Sequence, residues 1–204
     1  MRSTFLADAL LVGLLTLSGA VAGAQEQQPQ ASRFQASFAD VAATYTVERS
    51  NVTPGGGDFW LQGGSLNASV TFFRGFGFAS NVTGDFSSHI APGVGLTEIA
   101  FMGGPRYTRR LNPGAKHESR VFAEVLAGEV RGSNSAFPKP SGFDTRASSF
   151  TYQAGGGVDI SISKHLAIRA IEADYVRTYL PNNASNTQAH LRLAFGVSYH
   201  TGTH

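Results

Sequence analysis

The sequence predicts an all-β protein, an eight-stranded antiparallel up-and-down transmembrane β-barrel, and three observations lead there. The first is the stretch from Ala189 to Tyr199. It sets Ala189, Leu191, Leu193, Phe195, Val197 and Tyr199 against His190, Arg192, Ala194, Gly196 and Ser198. Side chains of a strand alternate between faces, so this stretch has one oily face and one wet face. Its length of about 11 residues suits a strand tilted across a bilayer. The second observation is that seven more period-two segments precede it, giving the even count of an up-and-down barrel. The third is that the connections sort by length: short at the end holding the termini, longer at the other end.

Composition agrees with many strands. Only 15% of the 204 residues are charged, with 24 glycines and 15 phenylalanines, a balance that favours strands over helices. A net charge of +2 gives no argument for nucleic acid. The absence of cysteine rules out disulfides and Cys-based zinc sites.

Residues 1–24 have the layout of a secretory signal peptide. Arg2 supplies a weak basic region, Ala9 to Leu17 an apolar run, and Ala22-Gly23-Ala24 a small-residue cleavage site. The apolar run is too short for a membrane anchor. Residues 25–35 form a polar leader with nothing to bury, and residues 36–204 form the barrel domain.

The first strand is expected at Phe38 to Arg49, with Val41, Ala43, Tyr45 and Val47 opposite Asp40, Ala42, Thr44 and Glu48. A Gly/Pro loop from Asn51 to Asp58 follows. The second, Gln62 to Phe73, sets Leu66, Ala68, Val70 and Phe72 against Ser65, Asn67, Ser69 and Thr71. Arg74-Gly75 is a tight turn. The third carries Phe76, Phe78, Val82 and Phe86 against Ala79, Asn81, Thr83 and Asp85. A loop from Ser87 to Gly95 leads to the fourth, where Ile99, Phe101 and Tyr107 oppose Glu98, Met102 and Arg106. Pro105 argues against a central position there, because it donates no ladder hydrogen bond.

A turn over Arg110–His117 precedes the fifth strand, Arg120 to Val130, whose pattern is less clean: Phe122, Glu124 and Leu126 share a face. Arg131 to Ser148 is the longest expected loop. The sixth strand sets Phe150, Tyr152, Val158 and Ile160 against Thr151, Gln153, Gly155, Gly157 and Asp159. After the turn Ser163–His165, the seventh begins with Leu166, Ile168 and Ala170 outside and Arg169 opposite. From Ile171 the phase slips, so Ile171, Ala173 and Tyr175 oppose Glu172 and Asp174. One extra residue does this, which places a β-bulge near Ala170–Glu172. The last loop runs over residues 180–188.

Period two does not say which face meets solvent. A soluble ligand-binding barrel would put its oily face inside. Here the polar face carries charges of both signs at mid-strand (Asp40, Glu98, Arg106, Glu124, Asp159, Arg169 and Arg192) while the apolar face is almost free of charge. Charges packed inside a narrow barrel can pair, and hydrocarbon demands an uncharged outer face. The inverted, membrane-spanning reading follows.

The segments Ser65–Thr71, Gly103–Tyr107, Gly155–Ile160 and Ala167–Tyr175, with the closing strand, also give the chain a familiar look. It resembles the small OmpA/OmpX-like, porin-like outer-membrane β-barrel proteins over nearly all of residues 36–204. The resemblance implies residence in the outer membrane of a Gram-negative-type cell, with outer-membrane lipid and the outer-membrane assembly machinery as partners. It also implies a monomer with variable external loops and, for most members, no known catalysis; no cofactor is expected. Two departures stand out. The closing assembly signal of such proteins has aromatics three and five residues after a glycine; Gly196 and Tyr199 fit, but Thr201 takes the second aromatic place. No peptidoglycan-binding domain follows the barrel in this sequence.

The interior charges Glu98, Arg106, Glu124, Asp159, Arg169 and Arg192 are the candidate functional residues. They can form a static paired core or a gate whose salt bridges rearrange to admit ions. His117-Glu118-Ser119 has the residue types of a lipid hydrolase, but adjacent residues on extended chain point apart. His190 and His200 share a face yet sit too far apart to hold one metal. Gly55–Gly57 and Gly155–Gly157 lack the lysine and helix of a phosphate loop and read as a flexible loop and a strand bend. Asn51, Asn67, Asn81 and Asn183 head glycosylation sequons of the sort that arise readily in Ser/Thr-rich strands, and no glycosylation is assigned. Three functions remain open: a structural barrel or narrow, gateable pore; an adhesin or partner-binding barrel working through external loops such as Arg131–Ser148, with Phe137, Lys139 and Phe143; and, as a distant third, a lipid-modifying hydrolase.

Overall fold

The computed structural model describes residues 38–50, 58–91, 94–115, 117–182 and 186–201. The expected signal peptide and leader, and most of the Asn51–Asp58 loop, lie outside the described residues. Eight strands follow one another: β1 (Phe38–Ser50), β2 (Phe59–Phe73), β3 (Phe76–Ala91), β4 (Val94–Arg110), β5 (Ser119–Lys139), β6 (Gly142–Ser161), β7 (Leu166–Thr178) and β8 (Gln188–Thr201). Each pairs antiparallel with its neighbour, and β1 also pairs with β8, closing the barrel. Closure leaves no unpaired sheet edge, as a backbone surrounded by hydrocarbon requires.

The alternation read from the sequence governs which way each side chain points. On β2, Trp60 is 61% exposed while its neighbour Leu61 is fully buried. The exposed set includes Val41, Leu66, Val82, Phe101, Val125, Ile168, Leu193, Phe195 and Val197. The buried set is mostly polar, with Asp40, Glu48, Asn67, Asp85, Glu124, Gln153, Arg169 and Arg192 among it. The oily face is therefore outside, the inversion expected of a membrane barrel. About 11 residues at roughly 3.4 Å each, tilted by roughly 40°, climb about 29 Å, enough to cross the apolar belt of roughly 25 Å in such barrels. Aromatics flank this belt. Phe73, Phe76, Tyr107 and Tyr199 stand at the end holding the termini, and Trp60, Phe86, Phe150 and Tyr179 at the other. Phe76 packs on Tyr107 with ring centroids 4.9 Å apart.

At the termini end, two residues join β2 to β3 and four join β6 to β7, while β4 and β5 are joined by the longer stretch 111–118. Arg74 and Gly75 both take positive φ, 47° and 91°, as a two-residue hairpin loop twisted to match its strands demands. The bulge falls where the phase slip put it. Val158 of β6 pairs Ile171 while the next residue, Asp159, pairs Arg169, so Ala170 is the extra residue. Pro105 lies within β4, opposite Phe78 of β3. The β4–β5 ladder lacks partners at Gly104 and Pro105 but keeps its register, Gly103 with Ala127 and Arg106 with Glu124. The missing proline donor interrupts pairing without shifting the strand.

Two expectations need correction. The Ser87–Gly95 loop is almost wholly strand, because β3 runs to Ala91 and β4 starts at Val94. The Arg131–Ser148 loop is a hairpin in which β5 and β6 continue to Lys139 and Gly142. Ser, Thr and Phe pair readily in a ladder that no longer needs an oily face, so strand persists after alternation stops. Only Pro140-Ser141 remains as the turn, followed by Gly142 at φ 127°.

The lipid face makes a graded prediction. Leu193→Arg, in the middle of the belt, should cost about 2–4 kcal/mol in reversible unfolding from lipid bilayers, and Thr201→Arg, at its edge, about 0–1 kcal/mol. Equal costs at the two positions would place the belt elsewhere.

Candidate functional site: the interior ion network

Inward positions of neighbouring strands stack at each level of the barrel, and register decides who meets whom. Nearest the termini, the Arg169 guanidinium makes two hydrogen bonds to Asp159, of 2.9 and 3.1 Å. The same group donates to Glu172 at 2.9 Å and stands 3.7 Å from Asp40. Arg106 reaches Asp40 and Glu124 at 3.5 Å each and donates to Asn67 at 2.8 Å. Ser69 donates to Asp40 from the neighbouring strand. The Phe122 ring lies between the two arginines, its centroid 3.8 Å from the Arg106 guanidinium carbon and 4.4 Å from that of Arg169. Stacking on an aromatic face lets two like charges approach a shared set of carboxylates.

The bulge makes this cluster possible. In a regular strand, residues three apart point to opposite faces. With Ala170 extra, Arg169 and Glu172 both point inward and pair across three positions.

Nearer the loops, Arg192 binds Glu48 at 2.8 Å, stands 3.6 Å from Asp85 and donates to Gln153 at 3.1 Å. His190 Nδ1 lies 2.7 Å from Glu48, though poorly aligned for a hydrogen bond, and its Nε2 lies 3.3 Å from Thr178. Gln153 joins the two clusters. Its carbonyl accepts from Arg192 and its amide donates to Glu124 at 3.1 Å. One network therefore runs along most of the interior.

Of the residues expected here, Arg106, Glu124, Asp159, Arg169 and Arg192 are brought together. Glu98 is buried on the same wall, but among the described residues no arginine is within salt-bridge distance of it; its electrostatic neighbours include His190, Glu48 and Asp85. Sequence reasoning placed Glu48, Asp85, Glu172 and Asp174 on the polar face without assigning them to the network. It missed Phe122 and Gln153 as connectors, since an aromatic facing inward on a ragged strand gives no signal. It also read Gly155–Gly157 as a bend. Gly155 and Gly157 occupy inward positions, and a Cβ on them would lie 2.0 Å from the Asp174 carboxylate and 2.8 Å from the Phe122 ring. They are the space into which those side chains fit.

Above the network, towards the loops, the interior turns apolar. Phe59, Leu61, Leu96, Met102, Leu126, Val130, Phe137 and Leu180 form one buried cluster. Phe137 comes from the β5 extension, where extra residues around Asn134 (φ 60°) break the register with β6. Its ring packs over Gly132 beside Leu180. Leu180 is held by Gln188, which accepts from its N–H at 3.0 Å and donates to its carbonyl at 2.7 Å.

The other candidates do not assemble. The His117 ring sits 3.2 Å from the Ser161 carbonyl oxygen and Glu118 pairs with Arg110 at 3.2 Å. His190 and His200 are ten positions apart on β8, and the His200 ring packs on Phe38.

Two variants probe the network. Arg169→Met leaves Asp159, Glu172 and Asp40 without their shared cation, and should cost about 3–5 kcal/mol in urea unfolding from micelles; a loss below about 1 kcal/mol would mean the cluster is not held by this charge. Deleting Ala170 removes the bulge yet leaves Ile168, Ile171 and Ala173 on the outer face and Arg169, Glu172 and Asp174 on the inner one, as strict alternation requires. The folded, heat-modifiable band on gels should therefore survive the deletion, and its loss would mean that the bulge itself is required.

No family model matches the chain, and no curated protein matches it by sequence. Solved structures do. Ail, the attachment invasion locus protein of Yersinia pestis, matches with a TM-score of 0.50 at 13% identity, covering 82% of this chain and 100% of Ail. Neisserial surface protein A matches with a TM-score of 0.53 at 13% identity, covering 79% of this chain and 96% of that protein. At such identity the likeness is one of fold. In fold, the chain is a small eight-stranded membrane β-barrel of the outer-membrane type, like Ail and Neisserial surface protein A.

Proposed function

We propose that the chain is a non-enzymatic outer-membrane protein whose barrel is closed at rest and serves as a rigid carrier for its external loops. Residence in the outer membrane, after signal-peptide removal and insertion by the assembly machinery, and a monomeric state belong to the same reading. The observation that carries it is the double filling of the interior. Salt-bridged side chains occupy one length of it, and the apolar cluster of Phe59, Leu96, Phe137 and Leu180 closes the end nearest the loops. An eight-stranded barrel is only wide enough for its side chains, so nothing is left through which a hydrated ion could pass.

The carrier role is favoured by the β5–β6 hairpin, whose strands of 21 and 20 residues outrun the 13 of β1 and of β7. Its tip exposes Phe143, with Lys139 and Asp144 paired at 3.1 Å beside it. Ail is by its name an attachment and invasion protein and the neisserial protein a surface protein, and this chain is read as acting at a surface too.

The mature protein, refolded into planar bilayers with insertion verified, should give no discrete current steps. Steps that change in size with Arg106→Ala or Glu98→Ala would replace the closed carrier with a gated pore.

A further inference from the structure

We propose that Glu124, Glu172 and Asp174 form an interior binding site for a hard divalent cation of the size of calcium. The three come from two strands that flank the same glycines. Glu124 of β5 and Asp174 of β7 both pair with Gly155 of β6, and Glu172 pairs with Gly157. Because Gly155 has no side chain, the Asp174 carboxylate leans over it. One oxygen from each residue lies within 4.8 Å of the others.

Crowded acids alone would not make a site, but two further observations point to a cation. Asp174 is only 1% exposed, and neither of its carboxylate oxygens has a hydrogen-bond partner. It is aimed at two other carboxylates, with the nearest arginines already engaged by Glu172, Asp159, Asp40, Glu124 and Glu48. A buried carboxylate in that position is strongly unfavourable without a counter-charge. The second observation is the balance of the whole interior. Among the described residues, nine acidic side chains are buried (Asp40, Glu48, Asp85, Glu98, Glu118, Glu124, Asp159, Glu172 and Asp174) against four arginines, Arg106, Arg120, Arg169 and Arg192. Glu118 is paired with the partly buried Arg110, so the protein's own guanidiniums leave an excess of four carboxyl groups, and three carboxylates gather at Asp174.

The donor set selects the ion. Three carboxylate oxygens without nitrogen or sulfur suit a hard cation rather than zinc or copper. Calcium binds oxygens at 2.3–2.6 Å, so two ligands on opposite sides can stand about 5 Å apart; magnesium, at 2.0–2.1 Å, needs them within about 4.2 Å. Oxygens all within 4.8 Å of one another can meet one calcium ion at these distances. Gln153, hydrogen-bonded to Glu124, and the Arg169–Glu172 pair would hold two of the ligands in place. The apolar cluster covers the loop end, so the ion would load during refolding or from the end holding the termini.

The test is calcium-dependent stability. The mature protein, stripped with chelator and refolded in micelles with and without about 10 mM calcium, a level that saturates even weak calcium sites, is melted by circular dichroism. Calcium should raise Tm by several degrees and magnesium by less. Asp174→Asn should abolish the calcium shift while folding at least as well as the wild type without calcium, since it removes an uncompensated charge. Should that variant fail to fold, Glu172→Gln gives the same reading. A wild-type Tm indifferent to calcium would assign the excess carboxyls to bound protons instead and overturn the site. So would a calcium shift that survives Asp174→Asn, which would place the ion on the exposed carboxylates of the loops.

Discussion

Hydrocarbon offers no hydrogen bonds, and nearly everything in this molecule follows from that. A sheet placed in lipid must close on itself so that every backbone N–H and C=O is paired, and β1 pairing with β8 does this. Closure with eight strands fixes the width, and the width leaves an interior that side chains alone can fill. The outer face must be apolar, so the polar half of each alternating strand is forced inside. Buried charge here is a consequence of topology, and the ion network is how that consequence is made tolerable. Each arginine serves several carboxylates, and Gln153 ties the two clusters into one.

That chain of causes also decides what could be read from the sequence. Alternation sets facing directly, so the eight strands, the closing pair and the inward set were legible, and a change of phase at Ile171 located the bulge to the stretch Ala170–Glu172. Legibility ended where alternation stopped having a physical cause. Beyond the belt, strands need no oily face, so the continuation of β3 to Ala91 and of β5 to Lys139 looked like loop. Partners within the interior were equally hidden. That Arg192 of β8 meets Glu48 of β1 depends on which residues lie level across the closing seam, and alternation within a strand says nothing about register between strands.

Glycine was the least legible element of all. A run such as Gly155–Gly157 reads as a weakness in a strand, because it lowers propensity and packs nothing. In a narrow barrel the same run is a volume. Two of its positions face inward, and the absent side chains are what admit the Phe122 ring and the Asp174 carboxylate. The interior is thus shaped by a subtraction on β6 and an addition on β7, where Ala170 is the extra residue. Without the glycines, Phe122 could not lie between Arg106 and Arg169; in a strand that kept Ala170 but did not bulge, Glu172 would turn away from Arg169.

Filling a barrel so completely narrows what the protein can do. Transport through a packed interior would require breaking several buried ion pairs and displacing Phe137 and Leu180 together, and buried pairs lose several kcal/mol when one partner moves away. Binding at the outer end requires none of this. A rigid wall with no free edge holds the β5–β6 hairpin at a fixed height, and the hairpin's own ladder keeps its tip ordered. The more thoroughly charges lock the interior, the less a change of sequence in the loops can disturb the fold. Locking of this kind does not neutralise the acidic excess on β5 and β7, because fixing a carboxylate in place leaves the cost of burying its charge unchanged.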